Sequence, residues 1–210
     1  MRESMTSVAE ILPAGPAAIA RAGQLLRAGQ VIAFPTDTVY GLAALASDPR
    51  AVRRVYELKG RPLRQPLVLM VGQPETAEAW AQLDERARRY MEQWWPGPLT
   101  LVVPARPGLR PPLVTGRPRS IGIRIPDHPA ALDLLRSSGE ALATTSANLS
   151  GQEPARTALE AAWVRGVAMV LDAGVSPGGV PSTVLELLEP APRVLREGAI
   201  PAGSLTDPGP

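Results

Sequence analysis

The sequence predicts an α/β protein of one domain, built on a mixed and largely buried β-sheet. Short apolar runs typical of buried strands alternate with amphipathic helical patterns along the whole chain, and helices and strands do not separate into blocks. The 210 residues are 45% hydrophobic and 20% charged, which is enough for one substantial core and too apolar for a disordered chain. No internal repeat is present.

Each element is predicted from a local pattern. Pro16 suits the first turn of a helix that Gly29 ends, and Ser47 or Asp48 can cap a second helix that ends at Gly60. Apolar runs bounded by turn residues predict strands, whereas TDTVYGLAALA, after the first strand, is interpreted as a loop. The predicted helices span residues 16–28, 49–59, 74–82, 84–94, 129–137 and 157–163. The predicted strands are VIAFP, PLVLMV, LTLVVP, SIGIRIP, ALATT, VAMVLDAG, STVLELLE and PRVLREG.

The same patterns set the expected domain limits and location. We expect one domain over residues 10–200 and a flexible tail at 201–210, which has little to bury, while the Pro- and Gly-rich segments 104–118 and 174–181 are predicted to be functional loops. The polar first residues lack a secretory signal, and no apolar run approaches the roughly 18 residues of a membrane span. We therefore expect a cytoplasmic protein that does not enter a membrane.

Composition excludes several kinds of chemistry. The chain has no cysteine and a single histidine, which excludes disulfides, thiolate metal sites and His-rich metal sites. The motifs GxxxxGK[ST], GxGxxG, GxSxG and HExxH are absent. A Ser-His triad would have to use His128, which precedes a helix and is more simply interpreted as a capping or surface residue. Any catalysis therefore has to use other side chains.

Two residue types that occur once each mark a candidate site. Lys59 is the only lysine, against 21 arginines, and Asn148 is the only asparagine. A lysine kept in LKGRP indicates a place where a compact ammonium fits and a planar guanidinium does not. Lys59 and Arg61 stand two apart at a helix end, where the alternative is that they complement the helix dipole. We predict that Lys59 and Asn148 face one cleft.

Asn148 belongs to the segment TTSAN, which begins at Thr144. This polar segment follows an apolar strand, and the ends of strands in α/β sheets are where ligands bind, with amides and hydroxyls that suit phosphate oxygens. A local Asx or Ser/Thr turn is the alternative. PTDTVYG, and Arg124 in IRIP, leave the same choice between a ligand site and a structural role.

Six blocks of the sequence together resemble the Sua5/YrdC/YciO family, whose members are threonylcarbamoyl-AMP synthases. The blocks are FPTDTVYGLAA, LKGRPLRQPLVLMV, WPGPLTLVVP, IGIRIPDHP, TTSANLSG and STVLEL…VLREGAI, in family order over roughly residues 15–200. The resemblance implies a twisted open sheet of mixed strands flanked by helices, in the short YrdC-like form, since the extra C-terminal domain of longer Sua5 proteins has no counterpart. It also implies that L-threonine, bicarbonate and ATP give threonylcarbamoyl-AMP and pyrophosphate. Downstream transfer proteins would use this product for N6-threonylcarbamoyladenosine at tRNA position 37.

The resemblance implies roles for ten residues. The family's KxR…SxN tetrad falls on Lys59, Arg61, Ser146 and Asn148, with roles in catalysis and ATP binding. ATP contacts are further implied for Ser120 and Arg196, and threonine contacts for Thr38, Arg124, Thr144 and Ser182. Where archaeal relatives have a threonine-contacting histidine, this chain has Met70. Magnesium is expected to be carried by the ATP phosphates, with no protein-bound metal site.

Two other functions stay open at this point. The family is also linked to double-stranded RNA, and a binding module for such RNA or tRNA would use a basic face, although a formal net charge of +2 is weak evidence for it. The third alternative is a YciO-like paralogue with the same fold and a different nucleotide reaction. The arginines available for a basic face are Arg53, Arg54, Arg86, Arg88, Arg89, Arg117 and Arg119.

Overall fold

Ten strands form one mixed sheet in the computed structural model, which describes residues 9–109, 116 and 119–205. The strands are β1 (Glu10–Pro13), β2 (Ile32–Phe34), β3 (Gly41–Leu45), β4 (Val68–Met70), β5 (Leu99–Pro104), β6 (Ser120–Arg124), β7 (Leu142–Ser146), β8 (Met169–Asp172), β9 (Thr183–Glu186) and β10 (Arg193–Arg196). Their order in the sheet is β1-β8-β2-β3-β7-β4-β6-β5-β9-β10. The pairs β1–β8, β2–β8, β4–β6 and β5–β9 are parallel, and the other neighbours are antiparallel. The predicted mixed α/β sheet is confirmed.

Helices cover both faces of this sheet. They are α1 (Pro16–Arg27), α2 (Pro49–Lys59), α3 (Pro74–Trp80), α4 (Glu85–Trp94), α5 (Pro129–Ser138) and α6 (Ala158–Ala161). Four of them begin with proline, whose fixed φ suits a first turn. Buried side chains of α1 and α5 pack on one face of the sheet, and those of α2, α3, α4 and α6 pack on the other. The central strands are therefore buried on both sides, which explains their continuous apolar sequences.

Strand β3 corrects the loop predicted for TDTVYGLAALA. Its five residues are all buried and pair antiparallel with β2 and β7, so only residues 35–40 form the connection. The polar start of the segment concealed the apolar GLAAL that follows it. At Gly41 a β-carbon would lie 3.1 Å from the Phe34 ring, so a glycine permits the close packing at the start of this strand.

The predicted C-terminal tail begins with ordered structure. Residues 202–204 form a short 3₁₀ helix, and Leu205 is buried in the main core. Residues 206–210 lie outside the described part of the chain, as do residues 110–115, 117 and 118 of the predicted loop 104–118. The helix predicted at 157–163 is shorter: Thr157 caps α6 together with the Glu160 side chain, and the helix ends at Ala161.

Candidate functional site

The Lys59 side chain joins the end of α2 to the loop after β7. Gly60 takes a left-handed conformation (φ 64°) that stops the helix directly after Lys59. The Lys59 Nζ donates hydrogen bonds to both the backbone oxygen (2.7 Å) and the Oγ (3.2 Å) of Ser146, and to the backbone oxygen (3.1 Å) and Oδ1 (2.8 Å) of Asn148. Lys59 and Asn148, each the only residue of its type in the chain, therefore make direct contact.

Asn148 uses both ends of its amide. While Oδ1 accepts from Lys59, Nδ2 donates to the backbone oxygens of Leu149 and Gln152, each at 2.8 Å. The Ser150 amide adds a bond of 2.8 Å to the backbone oxygen of Lys59. A side chain that accepts on one side and donates on the other is what asparagine provides and aspartate does not. Together these bonds define the shape of residues 146–152, which we call the Lys59 loop.

A small cleft opens beside this loop, over the ends of β7, β4 and β6. It holds about 130 Å³, close to the liquid volume of four water molecules, so it suits a small polar molecule, and a larger ligand would extend beyond it. Its described lining contains three arginines and no acidic residue. Lys59 lies behind the lining, at 4% exposure. The polar lining includes Thr36, Thr38, Arg61, Thr100, Arg124, Thr144, Thr145, Ser146, Ser182 and Arg196, with Met70 among the apolar residues.

Arg124 lies at the end of β6 and is 2% exposed. Its Nη2 pairs with Asp37 Oδ1 at 2.6 Å, its Nη1 donates to Thr38 Oγ1 at 3.1 Å, and its Nε donates to the backbone oxygen of Gly97 at 2.8 Å. Burial lowers the pKa of Arg124, and the Asp37 carboxylate opposes that shift. Asp37 Oδ2 is buried and has no hydrogen-bond partner among the described residues. This end of the cleft therefore holds a buried ion pair with unused hydrogen-bonding capacity.

Hydroxyl groups surround this ion pair. Thr144 Oγ1 donates to the backbone oxygen of Val68 at 2.9 Å, and Ser182 Oγ lies 2.9 Å from Thr100 Oγ1. Thr38 Oγ1 also lies 3.0 Å from Thr36 Oγ1. Thr36 Oγ1 is already saturated, since it donates to the backbone oxygen of Val39 and accepts from the amides of Thr38 and Val39. The Thr144 hydroxyl is oriented by its bond to Val68 and can still accept a hydrogen bond from an amine or a protonated oxygen.

The other two arginines approach from separate elements. Arg61 follows α2 and is oriented by the backbone oxygens of Gln65 (2.9 Å) and Pro66 (3.1 Å), while Arg196, at the end of β10, donates to the backbone oxygen of Ser182 at 2.7 Å. Burial lowers the pKa of Arg196, and the nearby Arg124 and Arg61 lower it further. Mutual repulsion between cations that are held in place by carbonyls is typical of a site prepared for an anion.

Three residues of the sequence-predicted site, Lys59, Asn148 and Ser120, lie off the cleft wall, so Lys59 and Asn148 contact each other but do not both face this cleft as predicted. Asn148 contributes to a neighbouring groove with Gln152 and Trp163. Ser120, the first residue of β6, lies beside Gly116 and does not line the cleft. His128 occupies the N-cap position of α5 and is partly exposed, and its side chain makes no capping bond, so of the predicted capping or surface roles the capping bond is not observed.

Asp37 is the functional residue that sequence reasoning passed over. It stands between two threonines in PTDTVYG, directly after a buried strand, and a carboxylate at such a strand end was a usable signal. Its partner Arg124 lies 87 positions further along the chain. That pairing depends on the sheet order, which local patterns do not encode.

The arginines proposed for a basic face are largely engaged. Arg54, Arg88 and Arg89 form ion pairs with Glu57, Glu78 and Glu85, and the Arg86 guanidinium donates to the backbone oxygens of Leu187 and Glu189. Arg53 and Arg119 are exposed, while Arg117 lies outside the described residues. Of the seven arginines proposed for a basic face, three are therefore compensated by a carboxylate, and Arg86 is held by backbone oxygens.

No group of three or more His, Asp or Glu side chains in residues 9–109, 116 and 119–205 is placed to hold a metal ion. In the same part of the chain, no helix combines the length and apolar character that crossing a membrane requires.

Known proteins resemble this chain in both sequence and fold. The family model for Sua5, YciO and YrdC, which bears the description telomere recombination, matches residues 24–198. The threonylcarbamoyl-AMP synthase of Bacillus subtilis (strain 168) is 42% identical over 185 residues, which are 87% of this chain and 54% of that protein. The crystal structure of P. abyssi Sua5 complexed with L-threonine superposes with a TM-score of 0.87 at 36% identity, covering 94% of this chain and 59% of that chain.

A further solved structure, E. coli YciO, superposes with a TM-score of 0.81 at 29% identity, covering 92% of this chain and 96% of that chain. This chain thus matches almost all of YciO. It spans little more than half the length of the B. subtilis synthase and of P. abyssi Sua5.

Proposed function

The chain belongs to the Sua5/YciO/YrdC family, and from this premise we propose that it is an L-threonylcarbamoyladenylate synthase. The reaction converts L-threonine, bicarbonate and ATP into threonylcarbamoyl-AMP and pyrophosphate. The observation that carries the proposal is the cleft itself, in which three arginines and a set of oriented hydroxyls converge beside the Lys59–Asn148 contact. Its product would pass to tRNA threonylcarbamoyl-transfer proteins in the cytoplasm, for modification at tRNA position 37.

The chemistry needs positioning and positive charge more than a protein nucleophile. The threonine amine and bicarbonate condense to a carbamate with loss of water, and the new carboxylate then attacks the α-phosphorus of ATP in line, with pyrophosphate as the leaving group. Both partners in the second step are anions, so their repulsion is a large part of the barrier. A covalent enzyme intermediate is not required, which agrees with a chain that has one histidine and no cysteine.

The threonine end of the cleft is assigned to Arg124 and its neighbours. Arg124 has five N–H donors and uses three of them within the protein, so two remain for the substrate carboxylate. Thr38, Thr144 and Ser182 would hold the amine and the side-chain hydroxyl. The volume of about 130 Å³ suits an amino acid and its carbamate, with ATP extending outward.

The nucleotide end is assigned to Arg61, Arg196 and the Lys59 loop. Arg61 and Arg196 come from different elements and can neutralise separate phosphate groups. Ser146 and Asn148 would orient the triphosphate or the adenine end of ATP. Magnesium would be carried by the phosphate oxygens, since this ion is usually held by substrate oxygens and few protein ligands. Ser120 would contribute at the margin, next to Gly116.

The direct test is to incubate the protein with ATP, magnesium, bicarbonate and each amino acid in turn, and to measure pyrophosphate. We expect release that depends on both L-threonine and bicarbonate, together with a threonylcarbamoyl-adenylate product identified by mass. Lys59→Ala should abolish this release. Near-normal turnover by that variant, or release that needs no threonine, would contradict the assignment.

A YciO-like nucleotide reaction is the second candidate, favoured by the match to almost the whole length of E. coli YciO. It predicts ATP binding without threonine-dependent pyrophosphate. An RNA-binding module, in contrast, predicts an affinity for double-stranded RNA or tRNA that falls steeply with salt, in the absence of adenylate formation. The same assay with a filter-binding titration of tRNA separates the three.

A further inference from the structure

The ammonium of Lys59 has no donor left for a ligand. A protonated lysine has three N–H donors, and four oxygen atoms of Ser146 and Asn148 lie 2.7 to 3.2 Å from its Nζ. Acceptors therefore outnumber donors before any substrate is present. A phosphate oxygen could bind this nitrogen only by displacing an oxygen of the Lys59 loop.

The position of Lys59 agrees with this count. It is 4% exposed and lies behind the cleft, whereas Ser146 of the same cluster lines it. The Ser150 amide also bonds to the Lys59 backbone oxygen, so α2 and the Lys59 loop are tied through both the main chain and the side chain. The side chain points into the loop, toward its carbonyls.

The choice of lysine also fits a cage of oxygens. A tetrahedral ammonium can direct its protons toward several converging acceptors, whereas a guanidinium is a flat fork that needs more room. The other 21 Lys or Arg positions of the chain are all arginine, and only position 59 is lysine. Burial and the neighbouring Arg61 lower the pKa of Lys59 to about 7. A buried ammonium at this position therefore opposes folding, and its hydrogen bonds to the four oxygens offset part of that cost.

We propose that Lys59 is a positioning residue, which holds the Lys59 loop in the shape that receives the nucleotide and does not itself contact the phosphates. This inference rests on the proposed function, because it concerns the nucleotide site assigned there. Arg61 and Arg196, which do line the cleft, then carry the direct contacts with phosphate.

The first test measures amide hydrogen exchange in the ligand-free protein. In Lys59→Met, the amides of Asn148, Ser150 and Gln152 should exchange about tenfold faster or more, because the bonds that fix the loop are lost, while β2 and β8 keep their protection. Arg64→Met is the matched control, since Arg64 is an exposed cation on the segment after α2. Unchanged exchange in the loop of Lys59→Met would overturn the proposal.

The second test is a double-mutant cycle on the equilibrium binding of magnesium-ATP, without threonine or bicarbonate. If Lys59 acts through the loop, adding Asn148→Ala to Lys59→Met should weaken ATP binding by less than about twofold beyond the stronger single effect. Independent phosphate contacts would instead give multiplied losses, and that result would overturn the proposal. If Lys59→Met did not fold, Asn148→Ala alone should still loosen the loop.

Lys59→Arg separates charge from geometry. The variant keeps the positive charge, yet it should resemble Lys59→Met in both loop exchange and ATP affinity, since a guanidinium does not match the oxygen cage. Retention of wild-type affinity would mean that charge alone matters and would overturn the proposal. None of these measurements requires turnover, so failure of the synthase assay with the wild-type protein would refute the proposed function and leave this result standing.

Discussion

A cation is buried at each end of the cleft, and the two cations differ in how many of their hydrogen-bond donors the protein uses. At the Lys59 end, four oxygens surround an ammonium that has three protons. At the Arg124 end, three of five N–H donors are used, and the paired Asp37 leaves one oxygen without a partner among the described residues. A buried charge whose bonds are complete serves the framework, while a buried charge with donors to spare is prepared for a ligand.

Removal of the Arg124 guanidinium should give the largest effect. Arg124→Met leaves Asp37 buried without its partner, which is expected to cost about 3–5 kcal/mol of unfolding free energy, and it removes the carboxylate site, so threonine-dependent turnover should fall by about 1000-fold or more. Chemical denaturation and pyrophosphate release measure the two effects.

The double variant Arg124→Met with Asp37→Leu separates these effects. Replacing both charges with apolar side chains should restore most of the lost stability, because no buried charge remains unpaired, and it should not restore turnover. Recovery of turnover would show that Arg124 acts only through stability. Arg124 would then be a framework cation like Lys59, and not one prepared for a ligand.

Asp37→Asn is a milder probe of the same end. The amide can still accept a hydrogen bond from Arg124 but no longer neutralises it, so we expect the guanidinium to lose its fixed position and the KM for threonine to rise by about tenfold. The KM for ATP should change by less than about twofold. An equal rise in both constants would mean that Asp37 supports the whole cleft and does not act on the amino-acid end alone.

Arg196→Ala probes the phosphate side. The residue is exposed as a whole although its guanidinium is partly buried against Ser182, so stability should change less than in Arg124→Met, while the affinity for ATP should fall by about tenfold and depend less steeply on salt than in the wild-type protein. Isothermal titration at two salt concentrations measures both. An unchanged salt dependence would place the phosphates elsewhere.

A pH titration should move the unfolding free energy and the protection of the Lys59 loop in opposite directions. Burial and Arg61 lower the pKa of Lys59 from an ordinary 10.5 to about 7 in the folded protein, so between these values the unfolded chain binds more protons. The unfolding free energy of the wild type should therefore rise relative to Lys59→Met from about pH 7 to pH 10. Loop protection should fall over the same range, because a neutral amine has two donors for four oxygens. If the unfolding free energy and the loop protection both rose or both fell over this pH range, the result would contradict the proposed role of Lys59.

Local sequence patterns predicted most of the elements but only part of the site. Pro16, Pro49 and Pro129 each mark a helix start, and the apolar runs predicted eight of the ten strands in the described chain; the exceptions are β1 and β3. The unusual usage of Lys59 and Asn148 predicted that both face one cleft; they make contact but do not both face it. The Asp37–Arg124 pair was missed because it depends on which strands are neighbours, a property set by long-range packing.

The register of β7 has a consequence for substrate choice. Thr144 pairs with Val68 of β4, and Ser146 pairs with Gly41 of β3, so one central strand carries a residue of the amino-acid end and a residue of the Lys59 loop two positions apart. Alternate residues of a strand are separated by about 6.6 Å, and neighbours on both sides prevent β7 from sliding. If Thr144 holds the threonine amine or hydroxyl as proposed, β7 sets the distance between that group and the nucleotide beside Ser146. Lengthening the backbone of the amino acid by one methylene should therefore impair the reaction more than changing its side chain.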